Sequence, residues 1–235
     1  MNKKRTLALV TFATFSTVAL AATLKEHPLL TGEGLTLRNV QAVPATLENK
    51  RGLVVTLSEE GKKAKAVSQP ASFETLAVID GTDFTNGVIE AEIAGAPASD
   101  APEAARGFVG IAFRVKPDFK TYDAFYLRPT NARADDQVRR NHSAQYVSHP
   151  DWPWPRLRKE SPERYESYVD LEAGKWMRIR IEVDGDHARL FVNGQSQPTL
   201  VVNDLKTGAQ GRGAIGLWTH ESTVAHFRAL RVTPR

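Results

Sequence analysis

Residues 175–194, KWMRIRIEVDGDHARLFVNG, carry the clearest secondary-structure pattern in the chain. Apolar side chains alternate with polar ones at Met177, Ile179, Ile181 and Val183. A period of two places alternate side chains on one face of a β-strand. The Asp-Gly sequence at 184–185 is followed by a second alternating segment, which is a strong hairpin signal. We therefore predict an antiparallel hairpin with one buried face.

The same alternation recurs on both sides of this hairpin. GVIEAEIAG (87–95) and GFVGIAFRV (107–115) precede it, and GAIGLWTH (213–220) and VAHFRALRV (224–232) follow it. The sequence has no long amphipathic helix and no internal repeat, and the Pro/Ala-rich stretch 94–105 is typical of a solvated loop. These features predict an all-β protein, a sandwich of two antiparallel sheets.

The first 21 residues have the pattern of a removable signal peptide. MNKKR is basic, the following apolar run is short for a membrane span, and Ala19-Leu20-Ala21 is a small-x-small cleavage site. We expect the mature protein to begin near Ala22 and to work in a periplasm or outside the cell. Residues 22–235 are then long enough for a single β-sandwich domain.

The net charge and the absence of cysteine bear on two questions: whether the protein binds nucleic acid, and whether disulfides stabilise it. The chain carries a net charge of +4, but Lys3, Lys4 and Arg5 belong to the predicted signal peptide, so the mature chain is nearly neutral. This charge, without a basic helix, gives no indication of a nucleic-acid partner. There is no cysteine, so an exported protein of this kind must be stabilised by its core and not by disulfides.

The pattern W-x-R-I-R-I-E-V-D-G-x-x-A-R-L-F-V-N-G, followed by GAIGLW and FRALRV, resembles the concanavalin A-like lectin and glucanase jelly rolls, close to their laminin-G-like members. The resemblance covers residues 73–233 and implies a jelly-roll fold with a concave sheet face that receives carbohydrate. It does not choose among activities, because that superfamily contains both lectins and polysaccharide-cleaving enzymes. The E-x-D-x-x-E motif of the endoglucanase branch is absent; IEAEI offers only Glu90 and Glu92.

Two segments in the middle of the chain contain the candidate binding residues. In TYDAFYLRPTN (121–131), strand parity places Tyr126 and Arg128 on the face opposite the core, which we expect to be open to solvent. Sugars need such a pair, since their C–H faces stack on rings and their hydroxyls bond to planar donors. The alternative is that Tyr126 packs under a loop and Arg128 pairs with an acid such as Asp135 or Asp136.

The second segment, SHPDWPWPRLRKESPERYESY (148–168), is rich in proline and aromatic residues. Pro150, Pro153 and Pro155 exclude a regular central strand, so we predict a rigid loop that presents Trp152 and Trp154 as a binding wall. The alternative is that the two Trp side chains form a small satellite core at one end of the sandwich.

Together with the intervening residues RRNHSAQYV (139–147), these segments predict one carbohydrate-binding groove. Its candidate residues are Tyr126, Arg128, Asn131, Arg139, Asn141, His142, Gln145, Tyr146, Trp152, Trp154 and Arg158. We favour an exported carbohydrate-binding protein, and the alternative is a polysaccharide-degrading enzyme, a lyase ahead of a glycoside hydrolase. In the lyase, His142 and Tyr146 would be the catalytic base and acid.

A hydrolase acid pair, a zinc site and a calcium site have weaker support in the sequence. Glu90 and Glu92 have the spacing of a hydrolase pair, but alternate acids are ordinary on the outer side of a strand. His142 and His149, seven residues apart, do not form a compact zinc-ligand pair. The family resemblance makes calcium a candidate cofactor, with oxygen ligands from 184–186, 203–204 or 135–136, but no ligand spacing defines a site.

Overall fold

The computed structural model describes residues 23–67 and 73–235. The predicted signal peptide lies outside these residues and stays a prediction. No helix in the described part of the chain is both long and apolar enough to cross a membrane.

Two antiparallel sheets form the molecule. The first sheet has the strand order β13-β12-β11-β6-β15-β4-β3, and β1 pairs with β15. Its strands are β1 (Lys25–His27), β3 (Val40–Leu47), β4 (Lys50–Leu57), β6 (Gly87–Pro97), β11 (Met177–Asp184), β12 (His187–Val192), β13 (Leu200–Val202) and β15 (Thr223–Pro234).

The second sheet has the order β10-β9-β8-β7-β14-β5-β2. Its strands are β2 (Leu35–Arg38), β5 (Leu76–Ile79), β7 (Val109–Val115), β8 (Tyr122–Leu127), β9 (Ala144–His149), β10 (Glu166–Ser167) and β14 (Ala214–Thr219). The described helices are short: α1 (Glu59–Val67), α2 (Pro129–Ala132), α3 (Gln137–Asn141) and α4 (Trp154–Glu160).

The predicted hairpin is confirmed as β11 and β12. Ile181 pairs with Leu190 across the hairpin, and both side chains are fully buried between the sheets. Gly185 makes the turn with a positive φ of 60°, a conformation that costs a glycine little. The predicted face assignment is therefore correct, and this hairpin supplies part of the core of the sandwich.

The outer face of the first sheet is charged. Glu92 of β6 accepts a hydrogen bond from Nη1 of Arg228 at 2.7 Å, and Nζ of Lys50 lies 3.4 Å from the same carboxylate. Glu90 follows on the same face, since Ile89, Ala91 and Ile93 point into the core. The two acids of the hydrolase hypothesis thus lie on a face where charged side chains pair with one another.

The two faces of the second sheet differ in chemistry. Ile111 and Phe125 are paired neighbours that point into the core. On the opposite face the register places Gly110, Tyr126 and Gln145 side by side. A Cβ atom on Gly110 would lie 2.6 Å from the Cβ of Tyr126, so glycine is required where these two strands approach.

The sequence predicted that segment 148–168 is a rigid loop, but the structure shows that only part of it is. Residues 154–160 form the short helix α4, with Pro153 as its N-cap and Pro155 in its first turn. Proline is tolerated there because the first N–H groups of a helix have no intrahelical acceptor. The prolines exclude a central strand, as predicted, but they also start a helix that packs over the end of β9.

Ile181→Asp should unfold the protein. The substitution places a carboxylate in a fully buried site between the sheets, at a cost of several kcal/mol. Arg189→Ser, at an exposed position in the same hairpin, is the matched control and should melt within a few degrees of the parent. Thermal melts followed by circular dichroism measure both, and an unchanged melting temperature for Ile181→Asp would contradict the face assignment.

Candidate functional site

The outer face of the second sheet carries a row of aromatic rings. The ring of Tyr126 stacks on Trp218 with centroids 4.6 Å apart and on Phe108 at 5.3 Å. Farther along, Tyr122 stacks on His149 at 5.0 Å. We call these five residues the aromatic face. They meet because alternate positions on β8, β9 and β14 point to the same side of the sheet.

Arg128 holds one end of the aromatic face. Its Nη2 donates to the hydroxyl oxygen of Tyr126 at 2.8 Å and to Oε1 of Gln145 at 2.9 Å. Its Nη1 donates to Oε1 of Glu166 at 3.2 Å and to the backbone carbonyl of His142 at 3.0 Å. The guanidinium is therefore satisfied on several sides and fixed in one position.

Glu166 is a buried carboxylate between two arginines. Nε of Arg158 donates to its Oε2 at 3.0 Å, Nη2 of Arg158 donates to its Oε1, and Nε2 of His142 lies 3.3 Å from Oε2. Burial alone would raise the pKa of Glu166, but the hydrogen bonds from Arg158 and the charge of Arg128 hold this pKa below its usual value. The carboxylate is thus ionised at neutral pH.

Trp154 lies at the solvent side of this network. Its ring centroid is 5.6 Å from the guanidinium carbon of Arg128 and 4.5 Å from that of Arg158. The Trp154 residue is 39% exposed and the Arg158 side chain is 33% exposed. A ligand that approaches this end of the face therefore meets an indole ring and a guanidinium group held on a buried anion.

The parity predicted for Tyr126 and Arg128 is correct, but the predicted exposure is wrong. Tyr126 is 2% exposed and Arg128 is 3% exposed, because Phe108 and Trp154 pack over them. Arg128 does pair with an acid, as the alternative held, although the acid is Glu166 and neither Asp135 nor Asp136. The side chains of Tyr126 and Arg128 therefore lie beneath the surface that a ligand would contact.

Tyr146 does not belong to this face. It pairs with Phe125 on the core side of β9, is fully buried, and donates its hydroxyl to Oδ1 of Asp123 at 2.6 Å. Burial and the neighbouring carboxylate raise its pKa well above the usual value. The prediction of Tyr146 as a ligand or catalytic residue is wrong, because its parity is opposite to that of Gln145.

The remaining predicted residues separate into supporting and peripheral positions. Asn131 is buried and donates to the carbonyl of His142 at 3.2 Å, so it shapes the loop behind the network. Trp152 packs against the core with Arg156 3.8 Å from its ring centroid, so the satellite-core alternative describes Trp152. Arg139 and Asn141 belong to α3, beyond the strands that carry the face.

The far end of the aromatic face contains a cluster that the sequence did not indicate. The hydroxyl of Tyr122 donates to Oε2 of Glu74 and accepts from Nε1 of Trp218 at 3.1 Å. Nδ1 of His149 lies 3.3 Å from Oε1 of Glu74, but the angle does not satisfy a hydrogen bond. Strand parity places Tyr122 on this face together with Tyr126, and it could have found Trp218, whereas Glu74 precedes its strand and had no pattern to mark it.

The two His–Glu pairs of this sheet are far apart. Seven residues of nearly extended chain separate His142 from His149, which corresponds to roughly 20 Å. This separation is far too large for a shared zinc ion. No group of three or more His, Cys, Asp or Glu side chains with metal-site geometry occurs among residues 23–67 and 73–235.

Three of the candidate calcium ligands have other partners. Oδ2 of Asp204 lies 2.7 Å from Nζ of Lys206 and also accepts from Tyr165, and Asp136 caps α3 through the N–H of Arg139. Asp186 lies beside His187, with 2.7 Å between its Oδ1 and the imidazole Nδ1. These three carboxylates thus have other partners, and calcium stays a prediction of the family resemblance alone.

Comparisons with known proteins agree with this architecture. A family model described as a 3-keto-alpha-glucoside-1,2-lyase-like domain matches residues 51–233. A comparison with curated proteins gives no match. Among solved structures, the carbohydrate-binding module CBM66 from Bacillus subtilis superposes with a TM-score of 0.55 at 13% identity, over 87% of this chain and 97% of that one.

A second solved structure gives a similar result. The Crh5 transglycosylase in complex with NAG has a TM-score of 0.51 at 12% identity, over 92% of this chain and 86% of that one. At such low identities the similarity establishes the fold alone. The predicted concanavalin A-like jelly roll is confirmed.

Arg128→Ala should destabilise the protein strongly. It leaves the buried Glu166 carboxylate with one arginine fewer and unpairs Tyr126 and Gln145, a loss of about 3–5 kcal/mol. Arg133→Ala is the matched control, because Arg133 pairs with Asp170 and Glu172 on the surface, where solvent screens the ion pairs and their loss should change stability little. Urea unfolding of both variants measures the difference, and equal losses would contradict the structural role of Arg128.

Proposed function

The chain belongs to the 3-keto-alpha-glucoside-1,2-lyase-like domain family, and on this premise we propose that it binds a glycoside over the outer face of its second sheet. Trp154 and Arg158 are the principal contacts. A sugar ring packs its C–H face on the indole, and its hydroxyls accept hydrogen bonds from Arg158.

The main observation behind this proposal is that the exposed Trp154 ring contacts two guanidinium groups. The buried carboxylate of Glu166 fixes both of these groups in place. Arg158 uses Nε and Nη2 to bind Glu166, so its Nη1 is the group that faces a ligand. A surface that is already ordered loses little entropy when a ligand arrives. The fold relatives include a carbohydrate-binding module and a transglycosylase, which supports the same class of ligand.

Trp154→Ala should weaken glycoside binding about tenfold, because it removes the exposed stacking surface. Titration calorimetry against a panel of neutral and uronate glycans, beside thermal melts, provides the measurement. Trp176→Ala is the matched control, since Trp176 immediately precedes β11 of the first sheet, where its indole contacts Leu47 and His226. If Trp154→Ala bound every glycan of the panel like the parent, the proposed surface would be wrong.

Cleavage by 1,2-elimination is a second candidate function, and the Glu74–His149 pair favours it. In a 3-keto glycoside the ketone acidifies the hydrogen on C2. A base removes this proton, the electron pair forms the C1–C2 double bond, and the C1–O bond breaks as the leaving oxygen takes a proton from water. The hydroxide left behind then takes the proton from the base and regenerates it. We assign the base to His149, which stands beside the carboxylate of Glu74 and is only partly buried.

Tyr122 supports this assignment. Burial, followed by the charge of Glu74, raises the pKa of Tyr122 well above its usual value, so the phenol remains a proton donor at physiological pH. Its hydroxyl donates to Oε2 of Glu74 and so positions this side chain next to the imidazole. A carboxylate in that position would stabilise the imidazolium that forms when His149 accepts a proton.

His149→Ala should abolish cleavage of a nitrophenyl 3-keto-α-glucoside while it changes glycoside affinity by less than about threefold. Removing a general base lowers turnover by roughly 10²–10⁴-fold. His187→Ala, an exposed histidine in the β11–β12 hairpin, should retain the parent rate. Nitrophenol release and absorbance of the unsaturated sugar measure turnover; if only His142→Ala stopped it, the catalytic end of the face would be the opposite one.

We also propose that the protein is exported after removal of residues 1–21. The basic start, the short apolar run and Ala19-Leu20-Ala21 support this. N-terminal sequencing of the extracytoplasmic protein should find Ala22 or a residue within two positions of it. Recovery of a product that still begins at Met1 would overturn the proposal.

A further inference from the structure

A cavity of about 380 Å³ lies where helix α1, the loop at residues 98–102 and the turn before β15 meet. The loop is attached to the turn, because the N–H of Ala98 donates to the carbonyl of Ser222 at 2.9 Å. This lining differs from the proposed glycoside surface at Trp154 and Arg158. Among its polar side chains are Glu59, Lys62, Lys65, Glu221, Ser222 and Thr223.

Ser222 in this lining contacts an imidazole. Oγ of Ser222 lies 2.8 Å from Nδ1 of His220, and the backbone N–H of Ser222 donates to the same nitrogen at 3.3 Å. An N–H donor requires a lone pair on Nδ1, so the imidazole carries its proton on Nε2 and accepts from the serine hydroxyl. Ser222 is only partly buried, so a ligand in the cavity can reach its oxygen. A hydroxyl in this position can act as a nucleophile with the imidazole as its base.

The other side of the imidazole faces a carboxylate. Nε2 of His220 lies 3.3 Å from Oε2 of Glu221, and Nζ of Lys65 lies 3.2 Å from Oε1 of the same carboxylate. Partial burial lowers the pKa of His220, and the charge of Glu221 opposes this shift without cancelling it, so the imidazole is neutral at pH 7. Glu221 can then stabilise the imidazolium that forms when Nδ1 accepts a proton, as the acid of a Ser-His-acid triad does.

Thr223 supplies a second hydroxyl to the cavity. Its residue is 1% exposed, and its Oγ1 has no hydrogen-bond partner within residues 23–67 and 73–235. A buried hydroxyl of this kind would be satisfied by donating to the carbonyl oxygen of a ligand. Lys62 and Lys65 already pair with Glu59 and Glu221. An uncharged ester with a short acyl group therefore suits this lining and this volume.

We propose that Ser222 is a catalytic nucleophile and that this cavity hydrolyses uncharged carboxylic esters with short acyl groups. Oγ attacks the acyl carbon while its proton passes to Nδ1 of His220, and the ester C–O bond breaks as the leaving alcohol oxygen takes that proton. Water then attacks the acyl-serine and gives a proton to Nδ1. The carboxylic acid leaves as this proton returns to Oγ. This activity is independent of glycoside binding at Trp154.

Hydrolysis of p-nitrophenyl acetate by the full chain tests the proposal. Ser222→Ala should lower the rate at least about 100-fold, because it removes the nucleophile, and His220→Gln should do the same, because it removes the base. Thr223→Val keeps the shape of the side chain and should lower the rate about tenfold. Phenylmethanesulfonyl fluoride should modify Ser222 in the parent and not in His220→Gln, and peptide mass spectrometry locates the adduct.

His187→Ala is the matched control, because exposed imidazoles also hydrolyse this ester and His187 likewise lies beside a carboxylate, that of Asp186. It should retain the parent rate. Thermal melts establish that each variant is folded. If Ser222→Ala hydrolyses the ester as fast as the parent, or if the sulfonyl fluoride leaves Ser222 unmodified, the contact with His220 only stabilises the turn and the proposal is overturned.

Discussion

The buried ion pair between Arg128 and Glu166 is the interaction on which the candidate site depends. Two charges out of water are tolerated only when further hydrogen bonds satisfy them. Here Tyr126, Gln145 and Arg158 supply those bonds. The pair and its hydrogen-bond partners therefore connect β8, β9, β10 and α4.

This constraint explains why an aromatic side chain remains at the surface beside a charged network. Trp154 has guanidinium groups near its ring and solvent on its exposed side, so it is ordered without being buried. The same network places His142 in the lining of a cavity that Tyr168 also borders. At the other end of the sheet, Tyr122 and Trp218 hold Glu74 next to His149. Binding and chemistry can thus occupy different ends of one face.

Strand parity predicted much of this arrangement and failed at identifiable points. It placed Tyr126 opposite Phe125, which is correct because the side chains of a strand alternate between its two faces. It could not show that Phe108 and Trp154 cover Tyr126, since those contacts join residues distant in sequence. The alternation in the sequence already places Tyr146 and Gln145 on opposite faces of their strand. The prediction that both side chains line one groove was therefore inconsistent with it.

The sequence alone determined the elements with local causes: the β11–β12 hairpin, the buried face of each long strand and the exclusion of a central strand from the proline-rich segment 148–168. Period-two alternation and turn preferences depend on residues that are close in sequence, so they can be recognised without knowing which segments contact each other. Only the tertiary structure decided which acid neutralises Arg128, which tryptophan stays exposed and which histidine meets Glu74. Those outcomes depend on sheet order and on strands that pair across long stretches of chain, and no local pattern encodes a contact between Glu74 and Tyr122, 48 positions apart.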